Sequence, residues 1–262
     1  MIDKCNKLLR YSRAIFFGLF AFLFWSDSLI SNTQIHQLTN QIEFAAFLDS
    51  LIQVKMKEHH IPGVEFIMVK DGEIFFSKGY GHADLEQTIL VDPAQTLFRI
   101  CSIAKVVTGT AVMQLVEQGR IDLDRDVNEY LSLFKIKNKF PQPVTMKHLL
   151  THTGGFDDMY LNKVGRTKAE QMPLGDFLAK RLPPIITPPG EVYTYSNLGN
   201  ALAGYLVEVV SGQDFADYAV ENIFKPLEMN HSNFRLPDSL APNLSKAISI
   251  KMVNFLPSHL II

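Results

Sequence analysis

The chain has 262 residues, 47% of them hydrophobic and 20% charged, a globular composition with room for a full core and one or two subdomains. A formal net charge of −2 and an isoelectric point of about 6.4 exclude the basic balance of a nucleic-acid binder. Lys135, Lys137 and Lys139 read as a solvated face rather than a phosphate track.

Lys4, Lys7, Arg10 and Arg13 precede the apolar run Ala14 to Trp25, and Ser26-Asp-Ser28 follows. A basic start, 12 apolar residues and a small-residue exit form the pattern of a secretory signal peptide over residues 1–28. The run falls short of the roughly 20 apolar residues that a spanning helix needs. Export to the periplasm or the extracellular space is therefore expected, with a retained membrane anchor through residues 14–25 as the alternative. Once the segment is removed, Cys101 is the only cysteine, so no intramolecular disulfide can form and the fold rests on packing.

Ile42, Ala45, Ala46, Leu48 and Ile52 lie in a helical pattern running to about Glu58, which Ile61-Pro-Gly63 stops. Residues 63–70 and 73–80 read as strands joined by Asp71-Gly72, a hairpin pair suited to the positive φ angles of a type I′ turn. Ser102 to Gln118 is apolar almost all round and reads as a buried helix stopped by Gly119. Thr145 caps a shorter helix through His152, and Pro183 to Gly190 marks an irregular crossing. Ser196 or Asn197 opens a helix to Ser211 with Leu198, Leu202, Tyr205, Leu206 and Val209 inward. Asp214 caps a further helix that Pro226 closes. The order predicts an α+β fold: an antiparallel sheet with flanking helices and a helical subdomain inserted between its strands.

No Gly-x-Ser-x-Gly elbow, phosphate loop or dinucleotide fingerprint is present. Ser-x-x-Lys occurs twice, as Ser102 to Lys105 and as Ser132 to Lys135, so the spacing alone does not decide. On a helix i and i+3 share a face, which lets Lys105 reach the Ser102 hydroxyl. A helix N-terminus favours a developing oxyanion, and the apolar neighbours Ile103, Ala104, Val106 and Val107 favour a neutral amine able to accept a proton. Ser132 lies in a lysine-studded connection. The plain alternative for Ser102 is an ordinary helix cap. Tyr-x-Asn also occurs twice, as Tyr160-Leu-Asn162 in a polar loop and as Tyr195-Ser-Asn197 between a Pro/Gly-rich loop and an apolar helix. The second is the kind of junction that presents side chains to a cleft. Its plain alternative is a half-buried aromatic with a hydrogen-bonded tip.

Four ordered blocks together resemble the serine β-lactamase and penicillin-binding-protein superfamily, in its class C-like branch of D,D-peptidases, D-aminopeptidases and esterases. They are Gly79-Tyr-Gly-His-Ala-Asp84, Phe98-Arg-Ile-Cys-Ser-Ile-Ala-Lys105, Thr145-Met-Lys-His-Leu-Leu-Thr-His-Thr-Gly-Gly155 and Pro189-Gly-Glu-Val-Tyr-Thr-Tyr-Ser-Asn197. The resemblance covers residues 41–245 and implies a β-lactamase/transpeptidase-like fold. It also implies Ser102 as the acylated nucleophile, Lys105 as its proton-accepting partner and Tyr195 sharing the proton traffic. Asn197 would bind the substrate's amide carbonyl side, and no cofactor is implied. Either Lys105 or Tyr195 can be the immediate base. The implied substrate is a small molecule or peptide: an amide, a β-lactam, a D-amino-acid peptide or an ester.

The chain departs from the pattern in two places. Cys101 stands directly before Ser102, where a smaller residue is usual. No Lys-Thr-Gly or His-x-Gly follows Asn197, since the last glycine is Gly212, and Lys163-Val-Gly165 comes too early. Residues 246–262 form a divergent apolar tail that reads as a truncation or a change of reading frame, lacking the family's C-terminal strands and helix. Two functional expectations follow: an exported serine acyl-enzyme hydrolase, or a truncated, catalytically impaired relative that binds ligand or cell-wall peptide. A third reading takes His148 and His152 as an i, i+4 metal pair. It lacks the Glu of His-Glu-x-x-His, because Leu149 stands there, so a helix end carrying histidine is expected and no metal site.

Overall fold

The computed structural model describes residues 40–157 and 172–246, which fall into two compact units meeting in sequence at Ala94 and Gln95. The predicted export segment, Tyr160 and Asn162, Lys163 to Gly165 and the tail from Ala247 lie outside the described residues.

The first unit is a helix on a small antiparallel sheet. Asn40 starts helix α1 (Gln41–His59), its side-chain oxygen accepting from the N–H groups of Ile42 and Glu43. Strands β1 (Gly63–Lys70) and β2 (Glu73–Asp84) pair antiparallel, and β3 (Ile89–Leu90) adds to the far edge. Asp71 (φ 54°) and Gly72 (φ 84°) both take positive φ at the connection, as the hairpin pair predicts. Strand β2 runs four residues beyond the expected Tyr80, because His82 and Asp84 find ladder partners in β3. Phe44 of α1 packs edge-on against Phe76 of β2, with centroids 5.4 Å apart, and also meets Phe66 of β1. Lys78 and Tyr80 of β2 both donate to Asp49 of α1, at 2.7 and 3.0 Å. Lys78 first, then Tyr80, holds the Asp49 carboxyl below its usual range. Burial, and then the Asp49 partner, pushes the Tyr80 phenol up to about 12.

The second unit is helical. A 3₁₀ turn, Cys101–Ala104, leads into α2 (Lys105–Glu117). Then come α3 (Met146–Leu150), α4 (Leu174–Arg181), α5 (Asn197–Ser211) and α6 (Phe215–Ala219), the last continued by a π turn over Val220–Phe224. One apolar core holds Ala111, Val112 and Leu115 of α2, Leu149, Phe156, Leu178, and Leu202, Ala203 and Leu206 of α5. Ser196 caps α5, its Oγ accepting from the Gly199 N–H at 2.9 Å, so Asn197 is the first helical residue. Asp214 accepts from Ala216 and Asp217 and so starts α6.

Three expectations need correction. The α-helix expected from Ser102 begins at Lys105, and Ser102 lies in the tighter turn ahead of it. Nor is α2 buried all round. Ile103, in the turn, and Val106 are 68% and 70% exposed, since the Thr108, Ala111, Val112, Leu115 stripe, with Val107 and Val116 beside it, faces the core. Helix α3 ends at Leu150 rather than His152, because His152 turns to φ 56°. Helix α4 has no counterpart in the sequence reading. Gly175 weakens its helical pattern, but the bare glycine face lets the Tyr205 ring of α5 lie where a Cβ would stand.

Leu115 and Leu202 are fully buried on facing helices. Either replaced by alanine is expected to lower the unfolding free energy by about 2–5 kcal/mol, read as a fall in the denaturant midpoint at unchanged m-value.

Candidate active site

The site begins with the 3₁₀ turn. Cys101 takes φ 46°, a left-handed conformation uncommon for a residue with a side chain, and its thiol is free and exposed. The turn then carries Ser102 forward to Lys105. In 3₁₀ geometry residues i and i+3 eclipse one another. The Lys105 ammonium accordingly donates to Ser102 Oγ at 3.2 Å. The sequence reading reached this proximity through an α-helical i, i+3 face; the tighter turn brings it about instead.

The second half arrives from the irregular crossing ahead of α5. Tyr195 Oη lies 2.6 Å from Ser102 Oγ, a distance at which either hydroxyl can donate. Two residues on, Asn197 Oδ1 accepts from Lys105 Nζ at 2.8 Å. Lys105 also lies 5.1 Å from the centre of the Tyr195 ring, over its π face. The structure therefore brings Ser102 and Lys105 together with Tyr195 and Asn197, pairs separated by 93 and 92 positions along the chain. The serine hydroxyl faces the Tyr195 phenol and Lys105 Nζ, and Asn197 Oδ1 accepts from Lys105, which leaves the Asn197 amide N–H₂ to donate.

The other Ser-x-x-Lys is a structural device. Lys135 Nζ donates to the Asn128 and Leu131 carbonyls, both at 2.5 Å, closing the end of a short turn. The two histidines also have local work. His148 Nδ1 accepts from the Thr145 N–H while Thr145 Oγ1 accepts from the His148 N–H, a reciprocal cap on α3. His152 Nδ1 accepts from the Ser196 N–H at 3.3 Å. Among the described residues no cluster of three or more His, Cys, Asp or Glu side chains is placed to hold a metal.

His152 is the site neighbour that sequence reasoning missed. Its ring lies 4.4 Å from the Tyr195 ring and meets Tyr193 edge-on at 6.0 Å. Burial first, and then the Lys105 charge, holds its pKa below the ordinary value of 6.5. The available signal was its place in the Thr151-His-Thr-Gly-Gly155 turn, which the resemblance includes but to which no role was given.

The profile of the family described as Beta-lactamase matches residues 48–251. The chain is 32% identical over 196 residues to the protein flp of Staphylococcus aureus (strain MRSA252), covering 72% of this chain and 38% of flp. It is 31% identical over 188 residues to penicillin-binding protein 4 of Amycolatopsis lactamdurans, covering 69% of this chain and 46% of that protein. Among solved structures, an octameric penicillin-binding protein homologue from Pyrococcus abyssi superposes with a TM-score of 0.64 at 28% identity, over 77% of this chain and 47% of that one. The chain thus spans less than half the length of each of these relatives.

The depressed His152 pKa has a stability consequence. The unfolded chain takes a proton near 6.5, and the folded site resists it. Stability is therefore full above that pH and falls as pH drops below it. The thermal midpoint is expected to decline between about pH 7 and 5, and His152→Asn to flatten that part of the profile.

Proposed function

The chain belongs to the beta-lactamase family, and we propose that it is an exported serine hydrolase working through an acyl-enzyme on Ser102. One observation carries the reading: Ser102 Oγ lies 2.6 Å from Tyr195 Oη and 3.2 Å from Lys105 Nζ. An activated serine needs a base within hydrogen-bond reach, and here two candidates stand there.

In this mechanism Ser102 Oγ attacks the carbonyl carbon of an amide, a β-lactam or an ester, and its proton passes to the Lys105–Tyr195 pair. The tetrahedral adduct collapses, the bond to the leaving amine or alcohol breaks, and the same pair returns the proton to that group. Water then attacks the acyl-serine, and Ser102 recovers its proton as the acid leaves. Asn197, with Oδ1 held by Lys105, turns its amide N–H₂ toward the substrate carbonyl. The first acceptor is Lys105 in its neutral amine form or Tyr195 as the phenolate, and the proton taken from Ser102 is the one handed to the leaving group.

The substrate class is a peptide ending in a D-amino acid, a β-lactam or an ester. The similarity to penicillin-binding protein 4 favours a peptide or β-lactam. Residues 1–28 serve in this reading as an export signal or, through residues 14–25, as a membrane anchor. Among the described residues no helix is long and apolar enough to cross a membrane.

A fluorophosphonate or a labelled penicillin is expected to modify Ser102, as read by mass spectrometry of the peptide, and Ser102→Ala to abolish the adduct. Lys105→Ala and Tyr195→Phe should each slow labelling by about 10²–10⁴-fold. A stoichiometric adduct without turnover assigns ligand capture instead of hydrolysis, and no adduct on folded protein rejects the nucleophile. Residues 1–28 fused to an alkaline phosphatase reporter should give activity outside the cytoplasm; a silent fusion removes the export proposal.

A further inference from the structure

Tyr195 stands one residue before the capping Ser196 of α5, at the end of the Pro/Gly-rich crossing, so no helix or strand confines it. Its phenol nonetheless has to stay within hydrogen-bond distance of Ser102. The backbone amides on either side of it both donate to one residue: the Thr194 N–H to the His152 carbonyl at 2.8 Å, and the Ser196 N–H to His152 Nδ1 at 3.3 Å. The His152 ring backs the Tyr195 ring at 4.4 Å. We propose that His152 is the positioning residue of the site, a clamp of carbonyl, imidazole nitrogen and ring face that holds Tyr195 against Ser102. The proposal deepens the hydrolase reading and rests on it for its effect on rate.

Three features support the clamp. His152 has φ 56°, a conformation that a side-chain-bearing residue keeps only where its surroundings over-determine it. Here the Thr153 N–H bonds to the His148 carbonyl at 2.9 Å, and the Gly190 N–H bonds to the Thr153 carbonyl at 2.8 Å, so the turn is fastened on both sides. An imidazole also combines what the position uses, an in-plane acceptor and an aromatic face; asparagine supplies only the first and phenylalanine only the second. Lastly, a backbone N–H can donate only to an unprotonated Nδ1. The clamp therefore requires the neutral ring with hydrogen on Nε2, and protonation replaces the acceptor with a donor facing the Ser196 N–H. Among the described residues, Lys105 of α2 and Tyr193 and Tyr195 ahead of α5 face the imidazole, and the Lys105 charge opposes a second cation there.

The test measures the second-order rate of fluorophosphonate labelling of Ser102 against pH in the wild-type chain, His152→Ala, His152→Phe and His152→Asn. His152→Ala and His152→Phe are expected to label about 10²-fold more slowly at neutral pH, the scale of a displaced reacting group. His152→Asn should recover most of that loss and lack the wild type's fall in rate toward acid pH. A wild-type rate in His152→Ala, or an acid limb unchanged in His152→Asn, overturns the proposal. A second readout does not depend on reaction or on the alanine variant folding: ¹⁵N spectra of the histidines, with His152 assigned by its absence from His152→Asn. The Nε2–H tautomer is expected above neutral pH, and the Nδ1–H tautomer overturns the clamp. If wild-type Ser102 takes no label, the hydrolase reading falls, and the clamp is decided by the tautomer.

Discussion

The site is held together by one ammonium group. Lys105 Nζ donates to Ser102 Oγ on its own turn and to Asn197 Oδ1 on α5, with the Tyr195 ring beside it. The bond to Asn197 needs α2 and α5 at a fixed separation, and the apolar core sets it. Ala111, Val112 and Leu115 are buried with Leu202, Ala203 and Leu206 in one cluster. Closely packed side chains do not slide continuously. A half-buried lysine also has to satisfy its donors. Its two oxygen acceptors are the same groups that the proposed chemistry uses, so satisfying the lysine and assembling the candidate site are one requirement.

Around this bridge the second unit divides its work. Packed helices set position to within the length of a hydrogen bond, while short irregular segments present the reactive atoms. Ser102 lies in a 3₁₀ turn, Tyr195 in the approach to α5 and His152 in the turn after α3. Two of these segments adjoin helices with side-chain caps: Ser196 caps α5 beside Tyr195, and Thr145 with His148 caps the start of α3, the helix that His152 follows. Caps here fix the direction in which a functional side chain leaves the helix, besides satisfying free amides.

Features governed by neighbours in sequence were legible without coordinates. The Asp71-Gly72 hairpin, the opening of α5 at Ser196 or Asn197 and its end at Ser211, and the start of α6 at Asp214 follow from local φ requirements and side-chain capping. Four ordered blocks placed Ser102, Lys105, Tyr195 and Asn197, and the structure brings these four residues together. What escaped was tertiary. The head of α2 tightens to 3₁₀, and Ile103 and Val106 face outward, because composition does not say which side of an apolar helix meets the core. Helix α4 depends on a glycine whose value lies in the Tyr205 ring it admits from α5. His152 read as a helix end because its partners, Thr194 and Ser196, lie more than forty residues further along the chain.

The separation between Ser102 and Tyr195, 93 positions along the chain, bears on how the protein comes to fold. Closing so long a loop requires entropy to be lost before any contact compensates for it, so such contacts form late relative to hairpins and single helices. Helix α2 can form with its serine in place while Tyr195 and Asn197 are still far away. Until α5 docks, that serine has Lys105 beside it but neither Tyr195 nor Asn197. The grouping around the Ser102 hydroxyl is thus a property of the finished tertiary structure, and a nascent or half-folded chain carries the serine of the proposed site without its distant partners.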